Sequence, residues 1–465
     1  MSEPGASPRP GTDSGSGPGA VGEPNAAVAT GPGGSGSGRA IDPDYPVTPV
    51  PSTARKSFFS IAVVLLGFTI FTPTMLAGAA IAPAFSFAQL SLIVLVGSMI
   101  LGGYVALMGW VGARTGLTTV VMARYSFGLG GAKLASILLG GTQVGWYGVV
   151  IGTIGDMTAQ AFGWESWGAR AAVMIVTSAL MCATAYYGYR GMYWVSLVST
   201  PLILILAVWV VFRSLQEVGG IDGLLAVAPT TSMSVTVAIT TVVGTFASAG
   251  SQAPNWTRFA RTGRQAIWAC IIGFLIGNGL MIYFGAIGAI TFGEGDFVLV
   301  LYQLGLVAWG LVLLFGNLWK SNADTAYAFG VAGAELFNRP HKGPFVIAGS
   351  IIATVLALTG VQNHLVGYLG LLGTFIPPLG GVIIGDFLAR WRGGIPAAEK
   401  YQPPKVCWHN IGIYVLASAI AYVSGLLSLG IPALTGIVVA LVLSYGVGRL
   451  PGGRASGRAE RWHNR

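Results

Sequence analysis

Two quoted runs, "LLGFTIFTPTMLAGAA" (65–80) and "VVGTFASAGSQAPNW" (242–256), are apolar segments with helix breakers near their middles. The first carries Thr69, Thr72 and Pro73, and the second carries Gly244, Gly250, Ser251 and Pro254. Proline removes a backbone donor and clashes with the preceding turn, while glycine tolerates an unwound backbone. In a bilayer the freed amides and carbonyls cannot face lipid, so they must line a cavity enclosed by protein. Matching breaks in two halves of a chain point to a midplane transport site between inverted repeats.

Composition sets the bilayer as the solvent. Of 465 residues, 53% are hydrophobic and 9% are charged, against about 25% charged in soluble domains. That is too few charges to solvate such a surface, and a polytopic membrane protein follows. A spanning helix needs roughly 20 largely apolar residues. Twelve runs qualify: 57–82, 88–112, 132–161, 169–188, 192–213, 233–252, 265–291, 305–334, 344–361, 365–389, 410–428 and 430–449. The broken runs are spans 1 and 6, five apart. Spans 1–5 (57–213) and 6–10 (233–389) are then the inverted repeats, with two helices (410–449) appended to complete a domain over 55–450. Residues 1–54, rich in Gly, Pro and Ser, read as a disordered tail, and 451–465 as a basic one.

Loop charges orient the chain. With the N-terminus in the cytoplasm, the inside segments hold Arg55, Lys56, Arg114, Arg124, Lys133, Arg190, Arg258, Arg261, Arg264, Arg339, Lys342, Arg390, Arg392, Lys400 and Lys405. The outside segments hold only Arg170 and Arg213. This is the positive-inside pattern, with both termini cytoplasmic and the protein in the plasma or inner membrane. The net charge of +9 reflects that topology, and no nucleic-acid partner is expected.

No metal or cofactor is expected, because Cys182, Cys270 and Cys407 are scattered, and Cys407 and His409 around Trp408 do not have a ligand spacing. A membrane-embedded enzyme would need clustered acids or a histidine pair. Asp156, Asp324 and Asp386 fall on three different spans with no histidine beside them, so no enzyme is expected. A passive channel would conduct without saturation or gradient-driven accumulation, and the paired breaks favour a carrier over it.

Six stretches carry a family resemblance: "LLGGTQVGWYGV" (138–149), "TGLTTVVMARYSFG" (115–128), "VGTFASAG" (243–250), "RFARTGRQA" (258–266), "WKSNADTAYAFG" (319–330) and "FIPPLGGVIIGDFL" (375–388). The chain from about Pro51 to Arg449 resembles the nucleobase–cation symporter-1 family, above all its bacterial cytosine permeases. The resemblance implies an all-α, leucine-transporter-like five-plus-five fold with broken helices 1 and 6. It also implies a planar substrate held between aromatic rings, here Trp146 and Phe246. Gln143 lies one helical turn before Trp146 and shares its face, and its amide suits the donor–acceptor edge of cytosine. Thr245, Ser248, Thr72, Asn317 and Asn322 are further binding candidates. Cytosine leads, with a purine, hydantoin, allantoin or hydroxymethylpyrimidine as same-family alternatives. The partners are that small molecule and the lipid bilayer.

In sodium-coupled relatives of the superfamily, carbonyls of span 1, here near Phe68 and Phe71, and hydroxyls on span 8 supply the cation site. Cytosine permeases show two adjacent hydroxyls after the span 8 tryptophan. This chain has "WKS", so Ser321 keeps the second and Lys320 replaces the first. A protonated lysine has no acceptor for sodium, and burial lowers its pKa. Lys320 then reads as a built-in cation, neutralised by Asp324 one turn on, in a proton-coupled or sodium-independent carrier. A static Lys320–Asp324 ion pair, an ammonium reaching a water-filled cavity, and sodium coupling remain the alternatives. Asp386 reads as an interfacial anchor paired with a loop arginine or as a gating residue, Arg124 as a loop contact closing the cytoplasmic side, and Asp156 as an interfacial cap on span 3 or a weaker proton-relay candidate.

Overall fold

The computed structural model describes residues 48–450 apart from 188–189, 295, 338, 340, 393–394, 396–400 and 402, with the side chains of 187–200 and Lys320 also outside the description. Nearly all of it is helix. Among the described residues the strand-like pairing is limited to one bridge, Lys56 with Ala260. The basic tail lies outside the described residues, as does the N-terminal tail up to residue 47. Within 48–54, Val50 is buried and its N–H donates to Gly116 O at 3.1 Å.

The first apolar run forms α1 (Phe58–Thr69) and α2 (Pro73–Ile81), whose axes differ by 58°. Ser57 caps α1 by accepting Ser60 N–H, and Pro73 opens α2 at the position where its missing N–H does no harm. The α3 helix (Phe87–Thr115) starts in a Ser86–Gln89 capping box. Next, α4 (Thr119–Ala161) begins thirteen residues before the expected start of span 3, at 132, and contains a kink at Gly128. Gly128 has φ +83°, and a Cβ there would meet Pro404 O at 2.5 Å. Residues 119–127 therefore form their own short segment, too short and too polar to register as a span.

The helices α5 (Trp167–Tyr187) and α6 (Arg190–Glu217) precede a short α7 (Ile221–Ala226). The sixth run divides into α8 (Val235–Gly244), α9 (Ala247–Ser251) and α10 (Pro254–Thr257), with Phe246 leaving helical geometry at φ −127°, ψ 19°. The seventh run holds α11 (Gly263–Cys270), a π-helical turn over Ile271–Gly277, and α12 (Asn278–Phe292). After a short α13 (Phe297–Gln303) come α14 (Val307–Leu336), α15 (Gly343–Leu358), α16 (Leu365–Phe375), α17 (Pro377–Asp386), α18 (Trp408–Leu426) and α19 (Pro432–Arg449). Seven helices among the described residues are long and apolar enough to cross a bilayer, or eight when α1 and α2 count as one. The core runs along α3, α4 and the broken segments, and includes Leu101, Met108, Leu139, Trp146 and Phe246. Exposed leucines, isoleucines and valines such as Leu92, Ile205, Ile351 and Val442 cover the outside, as lipid contact requires.

Candidate functional site

Where α1 stops, the Ile70 carbonyl and the Thr72 N–H lack helical partners, and one side chain replaces them. Asn317, on α14, accepts both the N–H and the hydroxyl of Thr72 at 3.1 Å. Its Nδ2 donates to Ile70 O at 3.2 Å. A carboxamide offers both acceptor and donor, so Asn317 satisfies both strands of the break. The Thr72 N–H and hydroxyl are thus spent on Asn317, and the Asn317 amide on Thr72 and Ile70. Phe71 O is taken by Thr74, whose hydroxyl donates at 2.6 Å.

Aromatic rings surround this break. Phe71 stands edge-on to Trp146 at 5.8 Å and to Phe246 at 6.3 Å. Phe68 packs on Phe246 at 5.5 Å and on Trp256 at 4.9 Å. Edge-on pairs match the ring quadrupoles. On the polar side, Gln143 Nε2 donates to Ser248 Oγ at 3.4 Å, and Ser248 Oγ also pairs with Thr142 Oγ1. The structure therefore brings together Gln143, Trp146, Phe246, Ser248, Thr72, Asn317, Phe68 and Phe71 where the two broken segments meet α4 and α14.

The other expected residues point elsewhere. Asn322 is fully buried, and its Nδ2 reaches Met181 Sδ on α5 at 3.4 Å. Thr245 donates to Val242 O at 2.7 Å and accepts from Asn278 of α12 at 3.0 Å. Ser321 donates back to Asn317 O at 3.1 Å, and Asp324 is half-buried one turn past Lys320. The Lys320 side chain lies outside the described residues, and so does any pairing it makes with Asp324.

Two residues absent from the sequence reading join the site. Tyr368 on α16 packs on Trp146 at 5.8 Å and donates to Thr142 O at 2.6 Å. Thr142 sits inside the "GGTQVGW" motif beside Gln143, which was a usable signal, whereas Tyr368 lies in a plain apolar run.

Beyond the rings, toward the Ile81 end of α2 and the Ala161 end of α4, a cavity of about 570 Å³ is lined by Ala79, Thr153, Asp156, Asp296, Gln362 and Gly367, among others. Thr153 is seven residues, roughly 10 Å along the helix, past Trp146. Asp156 on its wall accepts Gln362 Nε2 at 2.9 Å and lies 4.0 Å from Arg170.

Asp296 caps α13 by accepting Val298 N–H at 2.7 Å. Burial, the largest influence, raises its carboxyl to about 7 against that hydrogen bond, and Glu294 adds to the rise. An acid whose folded value exceeds its unfolded one, about 4, holds more protons when folded. Stability is then lost as pH rises between about 4 and 7. Asp296→Asn keeps a capping side chain and should raise the melting temperature more at pH 8 than at pH 5. Equal gains at both pH values would contradict this.

The opposite end is tied shut by polar contacts. Arg124 pairs with Glu335 at 2.6 Å. Asp386, 1% exposed, accepts Arg390 Nε at 2.6 Å and Ser126 Oγ at 3.0 Å. Asn410 reaches Ser126 O at 2.6 Å. Arg55 donates to Ala113 O and Ala260 O, and Thr119 donates to Ser251 O and Asn255 Oδ1. Residues 119–127 are thereby held to α9, α14 and α17.

With rings, amides and breaks in place, likeness to known proteins decides the family. Residues 49–448 match the family of permeases for cytosine/purines, uracil, thiamine and allantoin. The chain belongs to this family. It is 38% identical over 351 residues to a cytosine permease of Escherichia coli O157:H7, covering 76% of this chain and 82% of that one. Its fold is that of Mhp1, a nucleobase-cation-symport-1 family transporter. The inward-facing Mhp1 structure gives a TM-score of 0.75 at 18% identity, covering 88% of this chain and 94% of that one. The closed structure with bromovinylhydantoin bound gives 0.71 at 17% identity, covering 87% and 94%. The chain is a multi-pass membrane transporter of the nucleobase permease family, not an enzyme family member.

Proposed function

We propose that the protein imports cytosine by alternating access, through twelve spans arranged as a five-plus-five inverted repeat with both termini cytoplasmic. What carries this reading is the juxtaposition of flat rings (Trp146, Phe71, Phe246) with an amide–hydroxyl edge (Gln143, Ser248) at two interrupted helices. Flat walls suit a base, and edge groups select its hydrogen-bond pattern. The 38% identity to a protein named cytosine permease selects the base.

Coupling is by protons or independent of sodium. Lys320 replaces a residue expected to be a cation-site hydroxyl, and a protonated lysine has three donors and no acceptor for a sodium ion. An intramembrane ionisable residue is functional by default.

Proteoliposomes holding the purified protein test both parts, with inward proton and sodium gradients imposed separately. Cytosine should accumulate under the proton gradient and ignore sodium, and Lys320→Thr should gain sodium dependence. Sodium-dependent accumulation by the wild type would overturn the coupling, and no cytosine uptake under either gradient would overturn the substrate.

A further inference from the structure

Asn278 is 0% exposed and sits in the apolar middle of the seventh run, where a carboxamide has no solvent to lean on. It opens α12 directly after the π-helical turn Ile271–Gly277, and its own N–H donates to Gly273 O, five residues back. A π turn inserts one residue into the helical repeat and often marks a functional position. At about 100° per residue, that insertion rotates everything from Asn278 onward relative to α11.

The rotated side chain meets the sixth run at its break. Asn278 Nδ2 donates to Thr245 Oγ1 at 3.0 Å, and Thr245 Oγ1 donates to Val242 O at 2.7 Å. Val242 O is the carbonyl that the Phe246 N–H would take in an unbroken helix. The Asn278–Thr245–Val242 relay therefore closes α8 one residue early and lets Phe246 swing out at φ −127°. The same π turn also packs on the other break: a Cβ on Gly277 would meet Thr69 Oγ1 at the end of α1 at 2.4 Å. Phe68 and Phe71, on either side of that end, touch Phe246, and so does Phe274 of the π turn itself, edge-on at 5.6 Å.

We propose that Asn278 is a positioning residue for the substrate wall: through Thr245 it fixes the break of the sixth run so that the Phe246 ring faces a nucleobase. This rests on the nucleobase reading above. Asn278 touches no substrate in this scheme and acts only through Phe246.

The test is a double-mutant cycle on equilibrium ligand binding to purified full-length protein, with uptake KM and maximal rate followed in parallel. The probes are cytosine, uracil, hypoxanthine, hydantoin and allantoin. Asn278→Leu should weaken binding of the preferred base about three- to tenfold, expressed in KM more than in maximal rate. In a Phe246→Leu background, where the flat wall is already lost, Asn278→Leu should weaken binding less than twofold further, the mark of two residues acting as a unit. Equal losses in both backgrounds would overturn the proposal, because a residue that merely stabilises the fold gives additive effects. Should Asn278→Leu fail to fold, Thr245→Val removes the same relay and runs the same cycle under the same criteria. Wild-type protein that binds none of the probes would overturn the nucleobase reading, and this proposal with it. Binding by the wild type with an additive cycle overturns this proposal alone.

Discussion

Trp146→Ala should raise the cytosine concentration for half-maximal uptake by roughly 5- to 150-fold. Stacking a base on an aromatic ring is worth about 1–3 kcal/mol, and each 1.4 kcal/mol is a factor of about ten. The indole is held by two neighbouring rings. Its ring meets Phe71 and Tyr368 edge-on, and Tyr368 in turn is anchored by its bond to Thr142 O. Truncation also leaves a void, and Trp→Ala in a packed core costs about 3–5 kcal/mol of stability. Trp146→Phe separates the two effects. It restores a flat ring and most of the packing, and its half-saturation should stay within a few-fold of wild type. A Trp146→Ala protein with unchanged half-saturation and a lower maximal rate would make the tryptophan a packing residue only.

The fate of individual residues shows what a sequence can tell about such a site. Proline and glycine act on the backbone wherever they sit, so the interruptions near Pro73 and after Gly244 were legible from residue type alone. The one-turn spacing of Gln143 and Trp146 was legible for the same kind of reason, since both lie on uninterrupted helix. Asn317 and Asn322 were not separable. Five residues at about 100° each place them about 140° apart around α14, so one faces α1 and the other Met181. Which faces the break depends on how α14 is rotated in the bundle, and that is set by tertiary packing. Thr245 and Ser248 illustrate a different limit. Helical periodicity would put them near one another, but the chain leaves the helix at Phe246 between them. Ser248 then turns to α4 and Thr245 to α12. The segments 119–127, α7 and α13 escaped because they are too short to read as spans, and their helical state is fixed by caps and contacts such as Thr118 with Val121 and Asp296 with Val298. Asn278 was visible as a lone amide in an apolar run, but its direction follows from a π turn that no residue pattern announces.

Asn317→Leu should reduce uptake to less than a tenth of the wild-type level and lower the melting temperature by several degrees. The substitution keeps the branching of the side chain but adds the bulk of two methyl groups in a buried site, so the volume-matched Asn317→Asp below is what isolates the hydrogen bonding. It strands the Thr72 N–H and the Ile70 carbonyl that Asn317 now satisfies. A buried polar group without a partner costs about 1–3 kcal/mol, and no neighbouring turn can take over for Ile70 O, because Pro73 has no N–H and the Thr74 N–H is spent on Phe71 O. The break would relieve this by winding α1 further or by drawing in water. Either response moves Phe71, which touches both Trp146 and Phe246. Asn317→Asp refines the argument. A carboxylate still accepts from Thr72 but presents an oxygen, with no proton, to the Ile70 carbonyl. Protonation supplies the missing donor, so the activity of Asn317→Asp should recover as pH is lowered, while that of Asn317→Leu should stay low at every pH. Uptake by Asn317→Leu at the wild-type level would mean that the break is held by its own backbone. A flat pH response from Asn317→Asp would mean that the bond to Ile70 carries no weight.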